Sequence, residues 1–296
     1  MPTFNYQLKG FKLKIDQRME TLLITTDLSE NSKAAVQFAL QLAAQGGYKL
    51  VFLHVTELLK PVKWSEEFYK NFEQQELDGL KRQLMAFVME VSAGTGSTVI
   101  NPEYVVHNSS SVAANVVHYA TQHQISYICL SRKGGGNSLK LFGSITATLL
   151  EKSSVPVIAV PEDYVSGAVE TICYASDLEH IAAELQQVGH LADTLKARVS
   201  LLHFSSPVTG EDAVNKIAVA KEQLSSVPVD VHVEPMDFEV ALSDRLARSV
   251  ENLKPDLLVM FTRQNRSFFE RIFLSSISAE FAAEARLPLL VFRKQQ

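Results

Sequence analysis

The stretch TLLITTDLSENSKAAVQFALQLAAQGGYKLVFLHV, Thr21 to Val55, decides the fold because the chain says it twice. TICYASDLEHIAAELQQVGHLADTLKARVSLLHF, Thr171 to Phe204, keeps the same order. Each is an apolar strand, an Asp-Leu pair, an amphipathic helix and a second strand that carries a histidine. Asp27 matches Asp177 at an offset of 150, and His54 matches His203 at 149. Near the end of each half Gly143-Ser144 matches Ser275-Ser276, and Pro156 and Pro288 follow at equal distance. Independent anchors at nearly constant offset mark an internal duplication. The offset falls to 132 at the end, so the second copy is shorter.

Working outward, strands and helices alternate through each half. LLIT, VFLHV, YICL and PVIAV are apolar at nearly every position, as strands covered on both faces must be. The expected architecture is α/β, with two duplicated, doubly wound, five-stranded parallel sheets joined by right-handed crossovers. Strands are expected at about 20–26, 50–55, 100–106, 126–131 and 156–160, then at about 170–175, 199–204, 229–233, 256–261 and 288–293. A long helix is expected from Glu66 to Val91, with Phe68, Phe72, Leu80, Leu84 and Val91 on one stripe. Its counterpart is shorter, about Asp212 to Leu224. VPVIAV and LPLLVF would each be an apolar edge strand of its own sheet, and such an edge needs a cover. The two halves are therefore expected to pair intramolecularly through these strands as a pseudo-dimer. The division is 1–18 as an N-terminal extension, 19–163 as the first domain and 164–296 as the second, with the linker at Pro161 to Ala168. The extension alternates Phe4, Tyr6, Leu8 and then Phe11, Leu13, Ile15, which fits either a strand pair or a disordered arm.

Composition sets limits on partners. Hydrophobic residues make up 46% of the 296 and charged residues 21%, with a formal net charge of -5. That balance argues against nucleic acid and membrane surfaces, which select basic faces. No apolar run approaches a membrane span, and the N-terminus lacks a secretory pattern, so the expected location is the cytoplasm. Cys129 and Cys173 sit in apolar strands and are expected as buried free thiols.

The chemistry should lie beyond the carboxyl ends of the strands, where strand order reverses. That edge receives Thr25, Thr26 and Asp27, then His54, Val55 and Thr56, and then SRKGGGNSLKLFGS, Ser131 to Ser144. Gly134, Gly135 and Gly136 let main-chain N–H groups approach an anion. Gly143-Ser144 opens a helix whose N-terminus favours phosphate. Ser131, Ser138 and Ser144 could add hydroxyls, and Arg132, Lys133 and Lys140 could neutralise charge. Asp27 with Glu30 also fits a capping box, and Asp177 fits a helix cap. His54 and His203 fit structural hydrogen bonds to backbone. The acidic residues Glu66, Glu67, Glu73 and Glu76 fit a solvated helix face.

On these residues the chain resembles a tandem universal stress protein, with the family domain present twice over about residues 19–295. The resemblance implies the adenine nucleotide alpha-hydrolase-like fold. In the family's nucleotide-binding branch the loop reads Gly, two residues, Gly, nine residues, then Gly with Ser or Thr, and an aspartate closing the first strand contacts the adenosine. Asp27 matches that aspartate, Gly134 the second glycine, and Gly143-Ser144 the final pair. The resemblance thus implies a site of Thr25, Asp27, Val55, Ser131, Gly134, Gly143 and Ser144 that takes ATP, with Mg accompanying it. Two features depart from the pattern. Ser131 replaces the first glycine, and eight residues rather than nine separate Gly134 from Gly143. A left-handed backbone at Ser131 would cost roughly 1–2 kcal/mol. In the second copy Phe261, Gln264 and Ser275 replace all three glycines, Phe268, Phe269 and Phe273 add bulk, and Arg263, Arg266 and Arg271 remain as cations. That copy is expected not to bind nucleotide. Two readings stay open: ATP binding by the first half with hydrolysis slow or absent, since no base or arginine finger is evident, or a scaffold that binds no nucleotide. A homodimer is compatible with either.

Overall fold

The computed structural model describes residues 19–96, 100–132, 143–205, 210–222, 228–237, 239–262 and 287–294. Its N-terminal half runs β1 (Thr21–Thr25), a 3-10 turn (Glu30–Ser32), α1 (Lys33–Gly46), β2 (Lys49–Thr56), α2 (Glu66–Thr95), β3 (Glu103–Asn108), α3 (Val112–Gln122), β4 (Tyr127–Arg132), α4 (Gly143–Lys152) and β5 (Val157–Pro161). The C-terminal half repeats it as β6 (Thr171–Ala175), α5 (Ile181–Leu195), β7 (Arg198–Ser205), α6 (Gly210–Glu222), β8 (Val229–Pro235), α7 (Leu242–Leu253), β9 (Leu257–Thr262) and β10 (Leu289–Arg293). Every expected strand is present within about three residues of its expected bounds. The strand and disordered-arm readings of 1–18 lie outside the described residues.

The ten strands form one sheet in the order β3-β2-β1-β4-β5-β10-β9-β6-β7-β8. All pairings within a half are parallel. Among the described residues the one antiparallel pairing is the junction of β5 with β10, where Val157, Ile158 and Ala159 face Val291, Leu290 and Leu289. This is the cover that two apolar edges required: each half supplies the missing neighbour of the other. A side-chain amide reinforces the junction. Gln45, at the end of α1, donates from Nε2 to the carbonyls of Val169 (2.9 Å) and Leu195 (2.5 Å) and accepts from the Val169 N–H (3.0 Å).

Helices cover both faces. One apolar cluster joins α1, α2, α5 and α6 to residues such as Ile24, Cys129, Tyr174 and Leu290. The other joins α3, α4 and α7 to Leu23, Ile128, Leu130 and Met260. Alternate residues of each strand feed opposite clusters, the period-two consequence of a pleated backbone. Cys129 and Cys173 are free and buried, and burial raises both thiols, Cys173 to about 12.

The stripe on α2 needs a correction. Leu84 and Val91 are buried, together with Phe87 and Val88, but Phe68 is 57% exposed. The helix outruns the sheet, and its first turns pack on Trp64, which stands edge-on to Phe68 and Phe72. Glu73 is likewise more than a solvated charge, because it accepts a hydrogen bond from Asn108 at the end of β3 (2.5 Å).

Candidate functional site

The carboxyl ends of β1 and β2 are tied together by the residue that both copies share. His54 Nδ1 donates to the Thr26 carbonyl (2.9 Å), and His203 Nδ1 donates to that of Ser176 (2.8 Å). A carbonyl can only accept, so each ring carries its proton on Nδ1. The histidines are structural, as expected. Just beyond, the chain turns sharply at Leu28 and Leu178, whose φ angles are 64° and 62°. The turn is held by hydroxyls: Thr26 Oγ1 accepts from the Leu28 N–H, and Ser176 Oγ accepts from the Leu178 N–H, each at 3.0 Å. A left-handed leucine is costly, and its recurrence in both halves shows that the turn is built in.

This turn presents Asp27. Its Oδ1 accepts from the Ser29 N–H (3.1 Å) and the Ser29 hydroxyl (2.6 Å). Asp27 does not cap α1, contrary to the capping-box reading: the N-cap positions of the 3-10 turn and of α1 are Ser29 and Ser32. Asp177 does not cap α5 either, where His180 holds that position. Both aspartates form local Asx turns instead. Burial pushes the Asp27 carboxyl up, but the donors of Ser29, with Ser32 and the Asp27 backbone, together outweigh it and hold the group below its ordinary 3.8. Asp27 is therefore an exposed, ionised acceptor at the sheet's carboxyl edge.

Thr25 and Val55 follow Leu23 and Leu53 by the strand alternation and lie on the α3 and α4 face. Ser131 lies on the other face. Its Oγ accepts from the Ala35 N–H in the first turn of α1 (3.0 Å). The hydroxyl thus supplies a cap to a helix 96 residues away in sequence. Ser131 is a regular β4 residue paired with Val160, and it is not among the residues of positive φ, so serine costs no left-handed strain there. Gly143 and Ser144 open α4, and Thr146 in its first turn donates to the Ser131 carbonyl (3.5 Å), which seats the helix N-terminus at the end of β4. Gly134, with Gly135, Gly136, Lys133, Ser138 and Lys140, lies outside the described residues. So do Arg263, Gln264, Arg266, Phe268, Phe269, Arg271, Phe273, Ser275 and Ser276.

The second half has rebuilt the same corner. Asp177 Oδ2 accepts from Lys294, which also pairs with Glu179 (3.3 Å) and faces Glu184 Oε1 at 3.7 Å. Lys294 and Glu184 are both buried, and Glu184 Oε2 accepts a hydrogen bond from the Tyr174 hydroxyl. Burial raises the Glu184 carboxyl, and this wins over the opposing effects of Tyr174 and Lys294. The equivalent first-half positions, matched through the helix C-caps Gly47 and Lys196, carry Ala35 and Glu162. Phe261, at the position of Ser131, stacks on Phe292 with ring centres 4.8 Å apart. A cavity of about 270 Å³ opens beside this cluster at the ends of β6, β7 and β9. Sequence reading did not anticipate the Lys294–Glu184 pair. A glutamate on the apolar stripe of α5 and a lysine directly after LPLLVFR were the available signals.

A family model described as the universal stress protein family matches the chain twice, over residues 19–161 and 170–293. Among solved structures, the chain is similar to a universal stress protein from Archaeoglobus fulgidus DSM 4304. The identity is 19%, covering 93% of this chain and 98% of that one, with a TM-score of 0.64. It is also similar to a putative universal stress protein from Pseudomonas aeruginosa UCBPP-PA14 at 14% identity, covering 93% of each chain, with a TM-score of 0.55. Likeness at these identities speaks for the fold. No curated protein matches the chain.

Proposed function

The chain belongs to the universal stress protein family, and from that premise we propose that its N-terminal half binds one adenine nucleotide, ATP, in a stress-response role. The observation that carries this reading is the unequal state of the two matched aspartates. Asp27 accepts from local hydroxyl and N–H donors, those of Ser29 foremost and Ser32 beside them, and keeps an exposed, ionised carboxylate. Asp177 is engaged by the buried ammonium of Lys294. Both carboxylates are exposed, but the second is paired with an ammonium and the first is held by neutral donors, which leaves Asp27 the better acceptor for ribose hydroxyls.

In this reading Asp27 receives the adenosine, with Thr25 and Val55 lining the adjacent face. The N-terminus of α4 at Gly143 and Ser144 would hold phosphate through its unpaired N–H groups. Gly134 would bring the preceding loop close. Ser131 would contribute its main chain, because its hydroxyl already serves α1. Among the described residues no group of three or more His, Cys, Asp or Glu side chains is placed to hold a metal ion. Mg would therefore arrive on the phosphates, which is its usual way of binding. Hydrolysis would be slow or absent, because the sequence offers no evident base or arginine finger.

A non-nucleotide scaffold remains the second reading, favoured by the replacement of the first loop glycine by Ser131. The distinguishing experiment is to purify the full chain and measure its absorbance ratio, then identify released small molecules by mass spectrometry. Adenine nucleotide at up to one per chain supports the proposal. A nucleotide-free protein that also fails to bind added ATP supports the scaffold.

A further inference from the structure

The cavity of the C-terminal half lies on the residues that correspond to the proposed nucleotide site of the first half, Asp177 and Phe261 among them. We propose that it binds a small, uncharged aromatic molecule that brings one N–H or O–H donor to Glu184, and that it rejects anionic ligands. The inference goes beyond the nucleotide reading of the N-terminal half and concerns different residues.

Three observations carry it. First, the cavity, about 270 Å³, is walled by Leu202, Phe204, Leu242, Leu246 and Met260, a lining suited to an apolar body. Protein interiors ordinarily close such space, and an apolar cavity of about 150 Å³ already accepts benzene. Second, Glu184 lines the cavity and is 3% exposed. Its Oε2 accepts from Tyr174, but its Oε1 is buried and has no hydrogen-bond donor among the described residues, with Lys294 Nζ standing off at 3.7 Å. A buried oxygen without a donor is costly, and a ligand donor would relieve it. Third, among the described residues three carboxylates, Asp177, Glu179 and Glu184, gather beside the cavity around the ammonium of Lys294. That ammonium is already committed, so the rim repels phosphate or sulfonate. The first half carries Ala35 and Glu162 at the equivalent positions, so this carboxylate and ammonium belong to one copy alone.

The test uses the full chain and two fluorescent probes on one frame. N-phenyl-1-naphthylamine is uncharged and has a single N–H. 8-Anilino-1-naphthalenesulfonate adds only a sulfonate. The uncharged probe should saturate at one per chain, with the sulfonate at least about ten-fold weaker because like charges at a desolvated rim are penalised. The N-methylated uncharged probe, which lacks the donor, should also bind several-fold more weakly. Leu242→Trp fills the cavity from its rim and should abolish saturable binding at an unchanged melting temperature. If that variant fails to fold, Ala175→Phe fills the same space from β6. Asp27→Ala and excess ATP should leave probe binding untouched. Equal binding of the sulfonate or the N-methylated probe, normal binding by a folded cavity-filling variant, competition by ATP, or no saturable binding would each overturn the proposal.

Discussion

Leu290 of β10 lies directly opposite Ile158 of β5 in the antiparallel junction, and both are essentially closed to solvent, at 0% and 2% exposure. This pair joins two sheets of five strands into one of ten. Each half alone would end in an open apolar strand. Ile158→Ala and Leu290→Ala should each cost about 2–4 kcal/mol as large-to-small core changes. The double variant should show coupling of about 0.5–3 kcal/mol, as expected for residues in contact. Urea unfolding of the four proteins measures it. Strict additivity, or a soluble, monomeric and fully stable fragment of residues 1–163, would contradict the pseudo-dimer.

Ser131 offers a test of what replaced the first loop glycine. Ser131→Ala removes the acceptor for the Ala35 N–H. It should cost about 1 kcal/mol, the typical worth of a capping side chain. ATP affinity should change little, because the hydroxyl faces α1 and not the nucleotide. A large loss of affinity with unchanged stability would place the hydroxyl in the site instead.

Gly143 tests the phosphate end. Gly143→Val puts a branched side chain at the first residue of α4. Valine is no worse than glycine as a helix former, so the melting temperature should hold. ATP binding should fall at least about ten-fold, because phosphate needs close approach to the helix N-terminus. Calorimetric melting with a binding titration reads both. Normal binding would move the phosphates elsewhere.

Glu184 gives a pH prediction. Burial raises its pKa above the ordinary 4.5, with Tyr174 and Lys294 opposing. The folded chain then holds this proton at a pH where the unfolded chain has released it. Stability from this group is greatest below the unfolded value and declines as pH rises toward the raised folded value. Glu184→Gln cannot titrate. Its stability relative to the wild type should therefore increase as pH rises from about 4 to about 8. Denaturation of both proteins across that range measures the difference. A constant or falling difference would contradict the assignment.

The fold was legible because its signals are local. Apolar runs such as VFLHV and PVIAV name buried strands, and the paired Asp-Leu and histidine anchors expose the duplication. The junction was legible too, because two apolar edges leave few ways to be covered. What sequence could not carry were contacts between distant positions. Ser131 capping Ala35 spans 96 residues, and Lys294 reaching Asp177 spans 117. The left-handed turns at Leu28 and Leu178 were also hidden, since leucine gives no hint of positive φ. The buried Glu184 resembled any helix carboxylate until Lys294 came beside it. The stripe on α2 failed at Phe68 because periodicity fixes a face but not where the sheet beneath it stops.

The most direct test of the central claim is an isothermal titration of ATP into the wild type, Asp27→Ala and Asp177→Ala. The account predicts one nucleotide per chain, at least about ten-fold weaker binding in Asp27→Ala after loss of a charged hydrogen-bond acceptor, and near-wild-type binding in Asp177→Ala. Two nucleotides per chain, or equal losses from the two substitutions, would contradict it.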